Sequence, residues 1–465
     1  MQALTLQEMA AAMSGKLRGN ISVPTATRIS TDSRGSVADS LFFAIIGERF
    51  DGHAYVNEAL AKGASAAVVS DVSKVDAQYH TSGRLIQVNN TVDALGRLAA
   101  WYRRQFAAQV IAVIGSNGKT TTKDLINRVL GSRKRGRAGQ ASFNNAIGVP
   151  LTLLSVEPQD EFVVVEIGTN HPGEIAALGR IVQPDLAVIT SIGEEHLEFF
   201  GDVQSVAREE FSLLPCMRHR GFVAMSDQAA EFAPAKAAAD CTVLKYGLSE
   251  AADLRAVGLQ VNADGQRFKV NNRFDYHLPL LGKHNVANAL AAIAIGTRFR
   301  LTHEEIASAL RGAQASPMRM ERFELGGITL INDAYNANPS SVRAALEVLD
   351  QMSSIGRKVL ILGDMRELGG EAVRCHQAVG REVGRSTAQI IIAVGAMARV
   401  LTDGATAVAG TAKRIYAFPS VEAVAEKIGT FVQPGDVVLL KASRAVRLER
   451  LLANIEEIAR SAAAK

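Results

Sequence analysis

Hydrophobic and polar positions along the chain alternate between short apolar runs and longer amphipathic stretches. Up to about residue 108, apolar runs at 41–46 and 66–69 predict buried strands, and the stretches 53–62 and 92–106 predict helices. From Val110 the alternation becomes regular, with strands at 110–114, 162–165 and 186–189 and a helix at 119–130. Continuous apolar strands separated by helices predict a parallel sheet that is covered on both faces.

The pattern changes twice further along the chain. Residues 254–281 alternate polar and apolar positions around the turn Asp264-Gly265, which predicts a small antiparallel ribbon, and helices follow at 286–298 and 303–310. After Ser316-Pro317, strands at 328–331, 358–362, 390–394 and 437–440 alternate with helices near 340–349, 372–385, 421–430 and 447–459. We therefore predict an α/β protein of three domains, 1–108, 109–315 and 316–465. No G-x-G-x-x-G opens the last series, so a dinucleotide cofactor is not indicated.

Composition narrows the class of protein. The 465 residues are 48% hydrophobic and 21% charged, and the net charge of +4 is spread without long runs of like charge, so nucleic-acid binding is not indicated. Three cysteines lie far apart without a C-x-x-C pair, which disfavours a zinc site or a disulfide framework. We find no secretory pattern and no apolar run of roughly 18 residues, and we expect a cytoplasmic protein without a membrane span.

The strongest chemical motif is Gly115-Ser116-Asn117-Gly118-Lys119-Thr120-Thr121, which follows a predicted strand and opens a predicted helix. Such a loop turns its backbone N–H groups toward a polyphosphate at the helix N-terminus. Its lysine neutralises phosphate oxygens, and its threonine hydroxyl can bind Mg²⁺. Val113 stands where the usual pattern has its first glycine. The alternative is a glycine-rich turn without chemical consequence.

Two further residues, Glu166 and His196, follow predicted central strands, where ligands collect in α/β sheets. Together with Thr120 they form a plausible magnesium set, because a hard cation takes oxygen ligands and sometimes an imidazole. A lone residue of this kind is more often a capping or solvated residue, but the joint placement of these residues after a phosphate loop favours the metal site.

Several blocks together resemble the Mur ligase family over nearly the whole chain. They are Ser30-Thr31-Asp32-Ser33-Arg34, residues 47–53, the loop 115–121, residues 143–150, the Glu166 and His196 blocks, residues 282–289, Asn332-Asp333-Ala334-Tyr335-Asn336-Ala337-Asn338-Pro339, residues 363–369 and Lys441-Ala442-Ser443-Arg444. The Tyr335–Pro339 block is the most discriminating, because family members that add other amino acids differ there. Ala442 stands where the family commonly has glycine.

The resemblance implies an architecture and a reaction. It implies three domains, with a UDP-sugar-binding N-terminal domain, a central P-loop parallel sheet that binds ATP, and a C-terminal Rossmann-like doubly wound domain. It also implies that ATP and Mg²⁺ drive the joining of D-alanyl-D-alanine to UDP-N-acetylmuramoyl-tripeptide through an acyl phosphate, in a monomer.

The resemblance also implies roles for individual residues. Catalytic roles fall on Lys119, His196 and Lys441. ATP binding falls on residues 115–121, His284, Asn285, Asn288, Arg319, Asp333, Tyr335, Asn336 and Asn338. Binding of the UDP substrate falls on Ser33, Arg34, Gly47, Phe50, Asp51, Asn145, Thr169, Asn170 and His171, and binding of the dipeptide on Asp364, Ser443 and Arg444. The metal ligands would be Thr120, Glu166, His196 and Glu210.

Three of these assignments have structural alternatives. Asp32-Ser33-Arg34 could be an ordinary polar turn, Asn285 and Asn288 could belong to a helix cap, and Asp364 with Glu367 could form a solvated acidic turn.

Glu210 is the most informative departure, because many relatives place a carbamoylated lysine at this position. A glutamate already ends in a carboxylate, so we expect Glu210 to supply the negative ligand directly. In the alternative, the helix is offset and Glu209 and Glu210 are solvated.

Two rival functions remain open at this level. One is a related ligase that extends folate with glutamate, although its first domain would lack the blocks at 31–34 and 47–53. The other is a binding protein that uses the phosphate loop as a switch. Release of ADP only when both acceptor and amine are present would distinguish the ligase from the switch.

Overall fold

Each of the three segments builds a main β-sheet, the first also holds a separate two-stranded sheet, and the central and last main sheets face a common cleft. The computed structural model describes residues 1–19, 25–47, 50–218, 221–234, 240–262 and 264–463. Glu48 and Arg49 of the 47–53 block therefore lie outside the described residues.

The first segment forms a small mixed sheet with helices packed around it. Its elements are β1 (Leu4–Thr5), α1 (Leu6–Met13), β2 (Lys16–Gly19), β3 (Thr25–Ala26), β4 (Arg28–Ser30), β5 (Ser40–Phe43), α2 (Val56–Ala61), β6 (Ala66–Val69), β7 (Ser82–Gln87) and α3 (Thr91–Arg103). The main sheet has the order β2-β7-β6-β5-β4, in which only the β2–β7 pair is antiparallel. The predicted helix 53–62 is split, with a 3₁₀ turn at Gly52–Tyr55 before α2.

The central segment is a larger sheet that starts parallel and ends as a ribbon. Its elements are β8 (Gln109–Ile114), α4 (Lys119–Gly131), β9 (Gly136–Ala138), α5 (Gly148–Leu154), β10 (Phe162–Glu166), α6 (Glu174–Val182), β11 (Leu186–Ile189), α7 (Leu197–Phe200), α8 (Val203–Phe211), β12 (Phe222–Ser226), α9 (Asp227–Ala230), β13 (Thr242–Gly247), β14 (Leu254–Asn262), β15 (Gly265–Val270), β16 (Phe274–Leu278), α10 (Lys283–Arg298) and α11 (His303–Arg311). The order is β16-β15-β14-β13-β12-β11-β8-β10-β9. The predicted antiparallel ribbon is confirmed, and β14 pairs in parallel with β13, so the ribbon continues the main sheet.

The last segment is a doubly wound sheet, as the sequence predicts. Its elements are β17 (Glu321–Leu325), β18 (Ile328–Asp333), α12 (Pro339–Gln351), β19 (Lys358–Gly363), α13 (Ala372–Arg385), β20 (Ile390–Val394), α14 (Ala398–Thr406), β21 (Arg414–Phe418), α15 (Val421–Ala425), α16 (Ile428–Phe431), β22 (Val437–Lys441) and α17 (Leu451–Ala463). The order is β17-β18-β22-β19-β20-β21, and only β17 runs antiparallel. α14 and β21 were not predicted, and the predicted helix 421–430 is divided into α15 and α16.

Two packing features connect the segments. Helix α3 of the first segment shares one hydrophobic core with β8, α5 and α6 of the central segment. Leu197 and Phe200 of α7 are buried in the core of the last segment, together with Met365 and Leu368. The predicted domain boundaries at 108/109 and 315/316 stay a prediction, since apolar contacts cross between the segments. No helix in the described part of the chain is long and apolar enough to cross a bilayer.

Candidate active site

A cavity of about 1070 Å³ lies where the ends of the central strands meet the last segment. It brings together many of the predicted site residues. Those that line it are Ser116, Asn117, Gly118, Lys119, Thr120, Thr121, Asn145, Glu166, Thr169, Asn170, His196, His284, Asn285, Asn288, Arg319, Asp333, Tyr335, Asn336, Asn338 and Lys441.

The phosphate loop, residues 115–121, connects β8 to α4 at the floor of this cavity. Gly118 precedes the helix with a φ of +83°, and a Cβ there would lie 2.5 Å from Asn288 Oδ1. The loop is fixed to the segment after β11, because the N–H of Ser116 donates to the carbonyl of Ser191 at 2.7 Å. The N-terminus of α4 therefore opens into the cavity, where its dipole favours a bound anion.

Lys119 is enclosed by carboxylates before any nucleotide is present. Its Nζ lies 3.7 Å from Glu195 Oε2, and its side chain is only 14% exposed. Burial by itself would lower the pKa of Lys119, but the charges of Glu195, Glu210 and Glu166 outweigh burial and raise it. The ammonium therefore stays protonated at the place where phosphate oxygens would bind.

Thr120 and Glu166 form the oxygen-rich part of the site. Thr120 Oγ1 donates to Glu166 Oε2 at 2.8 Å, and Asn144 Nδ2 donates to Glu166 Oε1 at 2.9 Å. Glu195, whose Oε2 lies 3.7 Å from Lys119 Nζ, has its Oε1 buried without a hydrogen-bond partner. Hard oxygen donors beside a phosphate loop fit Mg²⁺, which takes one or two protein carboxylates together with substrate phosphates and water.

The four predicted metal ligands do not gather into one protein cage. Among the described residues, no three His, Cys, Asp or Glu side chains cluster closely enough to hold a metal. Thr120 and Glu166 are together, whereas Glu210 and His196 each have another partner.

Glu210 lies behind the phosphate loop and does not line the cavity. Its Oε2 accepts a hydrogen bond from the Gly115 N–H at 2.9 Å, and its Oε1 is buried without a partner. Burial raises the pKa of Glu210 to about 8, against the opposing charge of Lys119. The alternative of a solvated glutamate is therefore wrong, because Glu210 is fully buried on α8.

His196 begins α7 in a left-handed conformation, with a φ of +48°, and faces the last segment. Its Nδ1 lies 2.7 Å from Glu367 Oε2. The pKa of Glu367 is lowered, chiefly by this contact with His196.

The last segment supplies cations and amides to the opposite wall. Lys441, at the end of β22, is buried with its Nζ 2.5 Å from Asp333 Oδ2. The guanidinium of Arg319 lies 4.0 Å from the centre of the Tyr335 ring, and its Nη2 donates to Ser142 Oγ at 3.3 Å. These contacts place two positive side chains opposite the phosphate loop.

His284, Asn285 and Asn288 lie together at the start of α10. Asn288 Nδ2 donates to Asn285 Oδ1 at 2.9 Å, and Thr122 Oγ1 donates to Asn288 Oδ1 at 3.1 Å. Burial lowers the pKa of His284. Asn285 and Asn288 thus join α10 to α4 below the loop, and they also face the cavity.

The residues expected to bind the UDP end and the dipeptide are more scattered. Asn145, Thr169 and Asn170 line the cavity, while the His171 ring packs on Phe199 with centroids 4.2 Å apart. The residues of the first segment lie outside the cavity lining: Ser33, Arg34, Gly47, Phe50 and Asp51. Arg34 is exposed and paired with Asp32, and Asp51 is paired with Lys74, as expected of local polar turns.

The three dipeptide candidates also lie outside the lining. Both oxygens of Asp364 accept backbone hydrogen bonds, from Ala396 at 2.9 Å and Met397 at 3.0 Å. Ser443 is buried and accepts from the Arg366 N–H at 2.9 Å, and Arg444 pairs with Glu449 at 2.7 Å. In this arrangement they stabilise loops of the last segment, so their assignment to the dipeptide has no support from the geometry.

Sequence reasoning gave no role to Glu195 or Ser340, and it considered Glu367 only as a partner of the dipeptide ammonium or as part of a solvated acidic turn. Glu195 neighbours Lys119, Glu367 contacts His196, and Ser340 accepts a hydrogen bond from Asn117 Nδ2 at 3.0 Å. Glu195 directly precedes His196 in the sequence, which is a signal that could have found it. The other two come close only through the packing of the segments.

The fold and the site together define a nucleotide-dependent ligase architecture, and three family models match the chain in order. They are described as Mur ligase family, catalytic domain, over residues 25–103, Mur ligase middle domain over 113–296, and Mur ligase, glutamate ligase domain, over 318–444. The chain belongs to the Mur ligase family.

Particular relatives are similar over nearly the full length. The UDP-N-acetylmuramoyl-tripeptide--D-alanyl-D-alanine ligase of Bacillus subtilis is 34% identical, over 92% of this chain and 93% of its own. A crystal structure of MurF from Acinetobacter baumannii superimposes with a TM-score of 0.88 at 31% identity, covering 98% of this chain and 99% of that one. The MurF ligase of Thermotoga maritima in complex with ADP gives 0.80 at 26% identity, covering 93% and 98%.

Proposed function

We propose that this chain is an ATP-dependent ligase that adds D-alanyl-D-alanine to UDP-N-acetylmuramoyl-tripeptide in peptidoglycan synthesis. The observation that carries the proposal is a single cavity lined by the phosphate loop, Glu166 and Lys441, in a chain that is similar over nearly its whole length to ligases of that name. The relative solved with ADP supports ATP as the nucleotide.

The reaction must activate a carboxylate that is by itself a poor acyl donor. A carboxylate oxygen of the tripeptide attacks the γ-phosphorus of ATP, and ADP leaves. The amine of the dipeptide then attacks the acyl carbon of the resulting acyl phosphate, phosphate leaves, and the amine loses a proton. The products are the amide, ADP and phosphate.

The phosphate loop and Lys119 supply the electrostatic part of catalysis. The N–H groups at the start of α4 and the ammonium of Lys119 face the same region of the cavity, where charge accumulates during phosphoryl transfer. Because Lys119 is already fixed among carboxylates, little reorganisation is needed at the moment of reaction.

Thr120 and Glu166 are the residues that would hold Mg²⁺, and Glu195 lies beside Lys119 in the same cavity. The bound cation would neutralise phosphate charge next to the transferring group. The chain's own contribution is the orientation of Glu166, which Asn144 and Thr120 hold by hydrogen bonds to both of its carboxylate oxygens.

The last segment would exclude water from the acyl phosphate. Asn338 and Ser340 contact the phosphate loop directly, and Lys441 and Arg319 close the opposite wall. Exclusion of water matters because an acyl phosphate hydrolyses readily. We further propose that the protein is cytoplasmic. We also propose that it acts as a monomer, since neither the nucleotide-linked tripeptide nor the dipeptide requires a second subunit.

The decisive experiment is a two-substrate ATPase assay. Purified protein with Mg-ATP should release ADP at a substantial rate only when both UDP-N-acetylmuramoyl-tripeptide and D-alanyl-D-alanine are present, with one amide formed per ADP. ADP release without either substrate would favour a nucleotide switch. Amide formation with glutamate, but not with the dipeptide, would favour a different ligase of the family.

A further inference from the structure

The imidazole of His196 spans the boundary between the central and last segments. Its Nδ1 lies 2.7 Å from Glu367 Oε2, an ion-pair distance without the alignment of a hydrogen bond, and its Nε2 lies 3.9 Å from Glu195 Oε2 on the Lys119 side of the cavity. The side chain is 13% exposed. One ring nitrogen is therefore directed to the last segment and the other to the nucleotide end of the site.

The backbone fixes the same contact. The Glu198 N–H donates to the Glu367 carbonyl at 3.1 Å. His196 and Glu367 both have left-handed backbones, with φ of +48° and +63°, a conformation that is uncommon for non-glycine residues. Burial of α7 against Met365 and Leu368 holds these two stretches of backbone together.

A carboxylate next to Nδ1 determines whether Nε2 is free to bind a metal ion. When Nδ1 carries the proton and faces a carboxylate, Nε2 keeps its lone pair and the ring is held in one orientation. This is the usual outer-shell partner of a histidine that binds a metal ion, but here the partner comes from a different segment of the chain.

We propose that Glu367 is a positioning residue that acts through His196: it holds the imidazole with Nε2 available to the divalent cation that accompanies the nucleotide, and it does so only when the last segment is docked. The inference rests on the proposed function for the identity of the nucleotide. It links closure of the site to cation binding, because an undocked last segment would leave His196 free to rotate and to change its tautomer.

The test measures binding and not turnover, so it does not depend on the ligase reaction. Mg²⁺ is titrated calorimetrically into the full-length protein with a non-hydrolysable ATP analogue, for wild type, Glu367→Gln and the control Glu371→Gln. Glu371 belongs to the same loop but pairs with Arg374. We expect Glu367→Gln to weaken Mg²⁺ binding about 10- to 100-fold and Glu371→Gln to leave it unchanged.

A double variant separates positioning from general damage. In a His196→Ala background, Glu367→Gln should weaken Mg²⁺ binding no further, because the two residues act in series. Unaltered Mg²⁺ binding in Glu367→Gln would overturn the proposal. So would an equal loss in the His196→Ala background, which would mean that Glu367 supports the fold and not the imidazole.

Discussion

Asn338 Nδ2 donates a hydrogen bond to Asn117 Oδ1 at 3.0 Å and so joins the last segment to the phosphate loop. Asn117 Nδ2 in turn donates to Ser340 Oγ at 3.0 Å. Asn338 is also the N-cap of α12, since its Oδ1 accepts from the Ser341 N–H at 2.8 Å. The residue that caps α12 therefore also links the last segment to the loop that would bind phosphate.

Removing the Ser340 hydroxyl should slow the reaction without unfolding α12. Ser340→Ala deletes the partner of Asn117 Nδ2 and the bond that Ser340 Oγ donates to Asn338 Oδ1 at 3.0 Å within the last segment, but it keeps the cap bond from the Ser341 N–H. One hydrogen bond is worth about 1 kcal/mol, so kcat/KM for ATP should fall roughly five-fold. Steady-state kinetics measures this, with Ser353→Ala, an exposed serine beyond the far end of α12, as the control. Equal rates for Ser340→Ala and wild type would show that the contact does not contribute.

Replacing Lys119 should abolish turnover. The transferring phosphoryl group loses a preorganised cation worth several kcal/mol, and retention of more than about a tenth of wild-type kcat, near 1.4 kcal/mol, would contradict the assignment. From the sequence, we expect a solvated ammonium and little cost to folding. The structure corrects this, because Lys119 is enclosed with Glu195, Glu210 and Glu166. Lys119→Ala should therefore lower the melting temperature, and Lys134→Ala, at an exposed ion pair with Glu161, should not.

Glu210 should make the enzyme independent of carbon dioxide. The expectation from sequence, that the carboxylate replaces a carbamate near the metal, predicts unchanged activity without bicarbonate, a raised Mg²⁺ requirement in Glu210→Ala, and activity of Glu210→Lys only with bicarbonate. In the structure the carboxyl group lies behind the phosphate loop on the Gly115 N–H and outside the cavity lining, so we expect the Mg²⁺ requirement of Glu210→Ala to stay unchanged. Glu210→Gln removes the negative charge but keeps the support of the phosphate loop, since the amide carbonyl oxygen can still accept a hydrogen bond from the Gly115 N–H. An unaltered magnesium dependence in the alanine variant would show that the carboxylate is not near the metal.

His376 should make the last segment sensitive to acid. Its Nε2 accepts from the Met365 N–H at 3.0 Å, so Nδ1 carries the proton and donates to the Ala372 carbonyl at 2.7 Å. Burial lowers the pKa of His376 below the usual value of about 6.5. The unfolded chain therefore takes up the proton first, and stability is lost as the pH falls below about 6.5.

Hydrogen exchange at the Met365 amide between pH 7.5 and 5 measures this effect. After correction for intrinsic exchange, protection should decline on acidification in wild type. His376→Gln should show a much flatter dependence, because an amide does not titrate in this range. A parallel decline in both proteins would assign the acid sensitivity to other groups.

Local sequence determined the strands, the phosphate loop and the order of the segments. The strand at 66–69 and the helix 372–385 were predicted at their observed limits, because continuous apolar runs and a clear amphipathic period leave few alternatives. Among the elements missed, β21 is short and only partly buried, so its pattern is weak, whereas β12 is a fully buried strand that was not recognised.

The tertiary structure decided which polar residues meet. Glu166 and Lys119 follow neighbouring strands of one sheet, so the sequence could predict that they come together. The contacts of His196 with Glu367 and of Asn117 with Ser340 join residues far apart in the chain, and they arise from the burial of α7 and the docking of α12. The hydrophobic effect is non-directional, so the sequence does not show which surfaces it will pack together. A polar pair that such packing brings together across two sheets can be identified only from the tertiary structure.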